Sequence, residues 1–93
     1  MTELLSDREI AARLESSDWT REGQEIAREW KFEDFAGAMK FVNRVAEVAE
    51  EANHHPDILV HGYRHVRLTL STHAKGGLTE ADFELAERLE PLA

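Results

Sequence analysis

His54-His55-Pro56-Asp57-Ile58-Leu59-Val60-His61-Gly62-Tyr63-Arg64-His65-Val66-Arg67-Leu68-Thr69-Leu70-Ser71 is the stretch that decides the fold. Val66, Leu68 and Leu70 alternate with Arg67, Thr69 and Ser71, the period of two expected of a strand with one buried face. Ile58-Leu59-Val60 forms a short apolar run ahead of it, and Gly62 lies in the turn region between them. Together they predict a β-hairpin. Pro56 disfavours the α conformation at the residue before it, so His55 is extended and its ring leaves the preceding element in a defined direction.

Upstream, from about Asp34 to Ala52, the apolar residues Phe35, Ala38, Met39, Val42, Ala46 and Ala49 recur at helical spacing. A second row, Phe41, Val45, Val48 and Ala52, widens the apolar surface beyond one sheet contact, enough for a subunit interface. Before this helix, Trp19-Thr20-Arg21, then Glu22-Gly23-Gln24, then Ile26 to Phe32 read as a first hairpin with Ile26, Trp30 and Phe32 on one face. Arg28 interrupts that face and is expected near an edge or a site. Ser6-Asp7-Arg8-Glu9 is a capping box opening a first helix that runs to about Leu14, with Leu5 and Ile10 as its hydrophobic staple. Downstream, Gly76-Gly77 breaks the chain before Thr79-Glu80-Ala81-Asp82, a second capping box stapled by Leu78 and Phe83. The last helix runs to about Glu90 and stops at Pro91. The order α-β-β-α-β-β-α with short connections predicts an α+β fold, a four-stranded antiparallel sheet with three helices packed on one face.

The chain has 93 residues, 42% hydrophobic and 32% charged, which suits a single domain spanning 1–93. It has no cysteine, which removes disulfide frameworks, thiolate metal sites and thiol catalysis together. Met1 to Asp7 lacks the basic start and apolar run of a signal peptide, so the cytoplasm is the expected compartment. No apolar run approaches the roughly 20 residues of a membrane span. With 19 acidic against 11 basic residues the net charge is −8, which disfavours direct binding to nucleic acid. All five histidines, His54, His55, His61, His65 and His73, fall within 20 residues.

Imidazoles with an unperturbed pKa of about 6.5 can give or take protons at neutral pH. Glu50 and His54 are four apart and so share a face at the end of the central helix, where the carboxylate can orient or stabilise the ring. His54 and His55, adjacent but separated by the extended conformation Pro56 imposes, point different ways, which suits acid and base duties on one substrate better than a single metal. His73, just past the last strand, supplies a third imidazole if that strand ends beside the 54–56 turn. His61 and His65 are read as surface residues, and Tyr63 as turn or core packing. Gly76-Gly77 lacks the lysine and spacing of a phosphate loop.

Glu50, His54-His55-Pro56, Tyr63, His73 and Asp82, at these spacings, resemble the signature of the pterin-4a-carbinolamine dehydratase family. Leu70-Ser71-Thr72-His73, Gly77-Leu78-Thr79 and Trp30 to Phe35 also resemble segments of that family, so the likeness runs from Trp19 onward. It implies dehydration of a 4a-hydroxytetrahydropterin to the quinonoid dihydropterin, with His54, His55 and His73 lining the pterin site as catalytic residues and Glu50 beside them. Trp19 would be associated with the site, and Asp82 would support His73 while also serving its capping box. The pterin is then the substrate, and no separate cofactor or metal is expected. A homodimer or homotetramer is implied as well. Animal members also act as dimerisation cofactors of a homeodomain transcription factor, so the alternative is a non-catalytic dimerisation or assembly module of the same fold. A histidine metal site is a third class, disfavoured by the adjacent pair, the lack of cysteine and the absence of an H-E-x-x-H helix.

Overall fold

The computed structural model describes residues 3–93; Met1 and Thr2 of the N-terminal segment lie outside them. Among the described residues the helices are α1 (Asp7–Leu14), α2 (Phe35–Ala52) and α3 (Glu80–Leu89), and the strands are β1 (Thr20–Glu22), β2 (Glu25–Lys31), β3 (Asp57–His61) and β4 (His65–Leu70). The strands form one antiparallel sheet in the order β1-β2-β4-β3. The expected order of elements and the α+β architecture are both observed.

Register explains which face is covered. Ile26 pairs with Leu70, Arg28 with Leu68 and Trp30 with Val66, while Ile58 and Val60 of β3 oppose Leu68 and Val66. Directly opposed residues share a face, so these side chains lie on the inner side of the sheet. Ile26, Trp30, Val66, Leu68 and Leu70, with Val60 beside them, meet Ile10 of α1, Phe41 and Val45 of α2, and Phe83, Leu85 and Leu89 of α3 in one apolar cluster, while Ile58 at the edge stays exposed. Glu22, Glu25, Glu29, Lys31, His61, His65 and Arg67 fall on the opposite, polar face by the same alternation.

Two expectations about the core are corrected. In α2 the core row is Ala38, Phe41, Val45 and Ala49, whereas Phe35 and Ala46 of the first-named stripe are exposed. Periodicity shows two neighbouring apolar rows but not which one meets the sheet. Phe41 decides it, packing against Trp30 at 4.8 Å and Phe32 at 5.1 Å between ring centroids. Arg28 is not at an edge: it points inward from the central strand β2. There its guanidinium lies 4.6 Å over the Trp30 ring and is ion-paired to Glu90, with Asp18 at 3.5 Å. The cation is tolerated because a carboxylate from just beyond α3 meets it.

Both capping sites sit where the sequence places them. Ser6 Oγ accepts from Glu9 N–H at 3.1 Å, and the Glu9 carboxylate accepts from Ser6 N–H at 2.8 Å. These bonds hold the Glu9 carboxyl below its usual pKa, through the Ser6 backbone amide first and its side chain second. Because the folded-state pKa is the lower one, the contribution is present above the unfolded value and is lost as pH falls through the folded value. Ser6→Ala is expected to cost about 1 kcal/mol of unfolding free energy near neutral pH. Urea titrations should show the difference from wild type shrinking in acid.

Candidate active site

The site is built where α2 ends. Asn53 adopts the left-handed conformation (φ 51°, ψ 42°), its N–H reaches Glu50 C=O at 3.2 Å, and the His54 N–H reaches back to Ala49 C=O at 3.1 Å. This pair of reversed bonds is a Schellman closure, with asparagine filling the position glycine more often takes. It turns the chain sharply, so His54 no longer follows the helical spiral. The i,i+4 geometry expected between Glu50 and His54 therefore does not occur.

Instead, each imidazole has its own carboxylate. His54 Nε2 lies 2.6 Å from Asp82 Oδ1 in the first turn of α3, and His55 Nε2 lies 2.5 Å from Glu50 Oε2. Glu50 thus serves His55 rather than His54, and Asp82 is bonded to His54 rather than to His73. The two rings do engage different partners in different directions, as the Pro56 argument requires.

Asp82 is fully buried and its hydrogen-bonding capacity is used. Oδ2 accepts from Thr79 N–H at 2.9 Å, the reciprocal bond of the capping box, and from Thr72 Oγ1 at 2.8 Å. The Thr72 and Thr79 hydroxyls are themselves 2.7 Å apart. One carboxylate thereby joins the start of α3, the end of the sheet and the His54 ring. Asp82 thus takes its place in the capping box as the sequence reading expects, and its imidazole partner is His54 in place of the expected His73. In the sequence reading Thr79 starts a capping box and Thr72 falls within a family-like segment, but neither is placed at the site. The signal that could have found Thr72 is its position immediately before His73, two residues beyond a strand end.

His73 opens a short 3₁₀ turn, His73–Lys75, and is exposed. Through its neighbour Thr72 its backbone is tied to the Asp82 that holds His54. Trp19 lies in a different setting: it is buried, packs edge-on to Trp30 at 5.8 Å, and donates its indole N–H to Glu90 at 3.1 Å. It lines a pocket of about 370 Å³ with Arg13, Ser17, Phe83 and Glu90, whereas His54 lines another of about 240 Å³ with Ala52, Ala81, Leu85 and Arg88. His54 and Asp82 form one hydrogen-bonded pair and His55 and Glu50 another, His73 is joined to the first through the chain at Thr72, and Trp19 stands apart. Tyr63, expected as turn or core packing, is a turn residue, exposed and at φ 56°.

Comparison with known proteins bears on this arrangement. The profile of the family described as pterin 4 alpha carbinolamine dehydratase matches residues 3–92. The chain belongs to that family. A protein of Nocardia farcinica named as a candidate pterin-4-alpha-carbinolamine dehydratase is 53% identical, across 99% of this chain and 97% of its own length. One from Thermomicrobium roseum with the same name is 51% identical over 96% of each. Among solved structures, a protein from Brucella melitensis described as a transcriptional coactivator/pterin dehydratase superposes with a TM-score of 0.90 at 32% identity, covering 98% of this chain and 99% of its own. A pterin dehydratase-like protein identified as a RuBisCO assembly factor of the alpha-carboxysome superposes at 0.69 with 27% identity, covering 84% and 92%. The family therefore includes catalysts by name and at least one assembly factor. Among the described residues no helix is long and apolar enough to cross a membrane.

Proposed function

We propose that the protein dehydrates 4a-hydroxytetrahydropterin to quinonoid dihydropterin by histidine acid/base catalysis, in the recycling of a tetrahydropterin. The observation that supports this most is the paired arrangement of imidazoles and carboxylates, His54 with Asp82 and His55 with Glu50. A carboxylate only accepts, so each Nε2 carries the proton of its bond, and each ring is held with Nδ1 as the nitrogen available to a substrate. Loss of water from a carbinolamine needs a proton delivered to the departing hydroxyl and a proton taken from the adjacent ring nitrogen. The C–O bond breaks as the C=N bond forms, so no oxidant or metal is required. Two rings fixed in different directions can serve the two ends of that transfer, with His73 as the third imidazole. Positioned proton transfers of this kind contribute about 10² to 10⁴ in rate each.

Mixing the purified protein with chemically generated carbinolamine and following the ultraviolet spectrum tests the proposal. Acceleration over buffer in proportion to enzyme is expected; a rate equal to that of buffer alone rules it out. The alternative, a non-catalytic assembly module, draws on the RuBisCO assembly factor with the same fold. It is favoured if turnover is absent and one protein is recovered stoichiometrically on affinity capture. We further propose a cytoplasmic homodimer or homotetramer. Support comes from exposed Phe35 on α2, and from Ile58 and Leu59 exposed on the edge strand β3.

A further inference from the structure

On the polar face of the sheet, away from the helices, His61 and His65, which the sequence reading left as surface residues, converge with Glu29. His61 Nε2 lies 2.9 Å from Glu29 Oε1, and His65 Nδ1 lies 3.7 Å from Glu29 Oε2. One donor atom from each of the three falls within 4.8 Å of the others. His61 and His65 are directly opposed across β3 and β4, and their rings stack at 5.2 Å between centroids, 24° from parallel. Glu29 reaches them from β2, where it is opposite Arg67, a residue whose own guanidinium is engaged by Glu22. The turn between the histidines is shaped for this approach. Gly62 sits at φ 54°, and a Cβ there would come within 3.2 Å of the His65 ring.

We propose that Glu29, His61 and His65 form a site for a borderline divalent transition-metal ion, zinc in the first instance. Metal bonds of about 2.0–2.2 Å to imidazole nitrogen and carboxylate oxygen in a tetrahedral arrangement put donor atoms roughly 3.3–3.6 Å apart. The spacings of 2.9 and 3.7 Å to the Glu29 oxygens bracket that range, and the stacked rings must turn about their Cβ–Cγ bonds to aim both nitrogen lone pairs at one ion. Two imidazoles and one carboxylate are a donor set zinc accepts in sites with three protein ligands, and nitrogen donors disfavour magnesium and calcium. All three side chains are open to solvent, so water or an external ligand completes the coordination. The site is separate from the proposed reaction. His61 lies four residues along β3 from Asp57, roughly 13 Å from the histidine turn at strand rise.

The test is a calorimetric titration of tag-free, metal-free protein with zinc chloride. One zinc per chain is expected, with a rise in melting temperature because the ion binds the folded state. In His61→Ala/His65→Ala and in Glu29→Gln, affinity should fall by more than the roughly 10–100-fold that loss of an outer-sphere partner costs. Carbinolamine turnover in the double variant should match wild type. Absence of stoichiometric binding to wild type, or binding that persists unchanged in the double variant, overturns the proposal.

Discussion

His55→Ala is expected to lower kcat/KM for the carbinolamine by about 10² to 10⁴, the range for removing a positioned proton-transfer group. Its far-ultraviolet circular dichroism and urea midpoint should be unchanged. The separation of activity from stability follows from the environment. The His55 side chain is 57% exposed and its carboxylate partner Glu50 is more exposed still, so removal opens no cavity and strands no buried polar group. Exposed ion pairs of this kind contribute little to folding. If His55 is a proton-transfer group, the loss falls on kcat, with KM nearly constant. An alanine variant that keeps wild-type kcat removes His55 from the mechanism.

The fold was largely legible because the strongest local signals agree with each other. The Val66-Leu68-Leu70 alternation, two capping boxes with their staples, and Gly23 and Gly62 in left-handed turns each mark an element that forms where expected. What could not be read was which of several adequate options tertiary structure selects. The two apolar rows of α2 are equivalent until Phe41 finds Trp30. Arg28 looks out of place until Glu90, 62 residues away, meets it.

The histidines show the same limit at the candidate site. Spacing and resemblance singled out His54, His55, Glu50 and Asp82, but the pairing among them depends on Asn53 in its left-handed cap, which carries the chain out of the helical path. Reading Asn53 as the helix stop would have predicted that Glu50 and His54 diverge. His61 and His65 read as surface residues because a histidine taken alone is more often that than a functional group, and nothing local points to Glu29. That neighbourhood exists only through the β2-β4-β3 register.

Asp82 is the residue where fold and chemistry are hardest to separate, and a pair of substitutions separates them. Asp82→Ala strands the Thr79 N–H at the start of α3 and removes the acceptor of Thr72 and the partner of His54, all in a buried setting. Loss of the cap costs about 1 kcal/mol and the stranded donors about 1–3 kcal/mol more. A total of about 2–4 kcal/mol would lower the melting temperature of a domain this size by roughly 10–25 °C. Asp82→Asn keeps the size and one acceptor oxygen. If that oxygen stays on Thr79 N–H, the amide NH₂ faces His54 Nε2, where it can only donate. The imidazole must then present an unprotonated Nε2 and carry its proton on Nδ1, the reverse of the wild-type tautomer. Asp82→Asn should therefore remain folded, with a loss of about 1 kcal/mol, while kcat falls about 100-fold or more and its pH dependence changes shape. Asp82 acts through His54, so a purely structural role would leave the pH profile of Asp82→Asn parallel to wild type. That outcome would show that the 2.6 Å contact positions the helix and not the reaction.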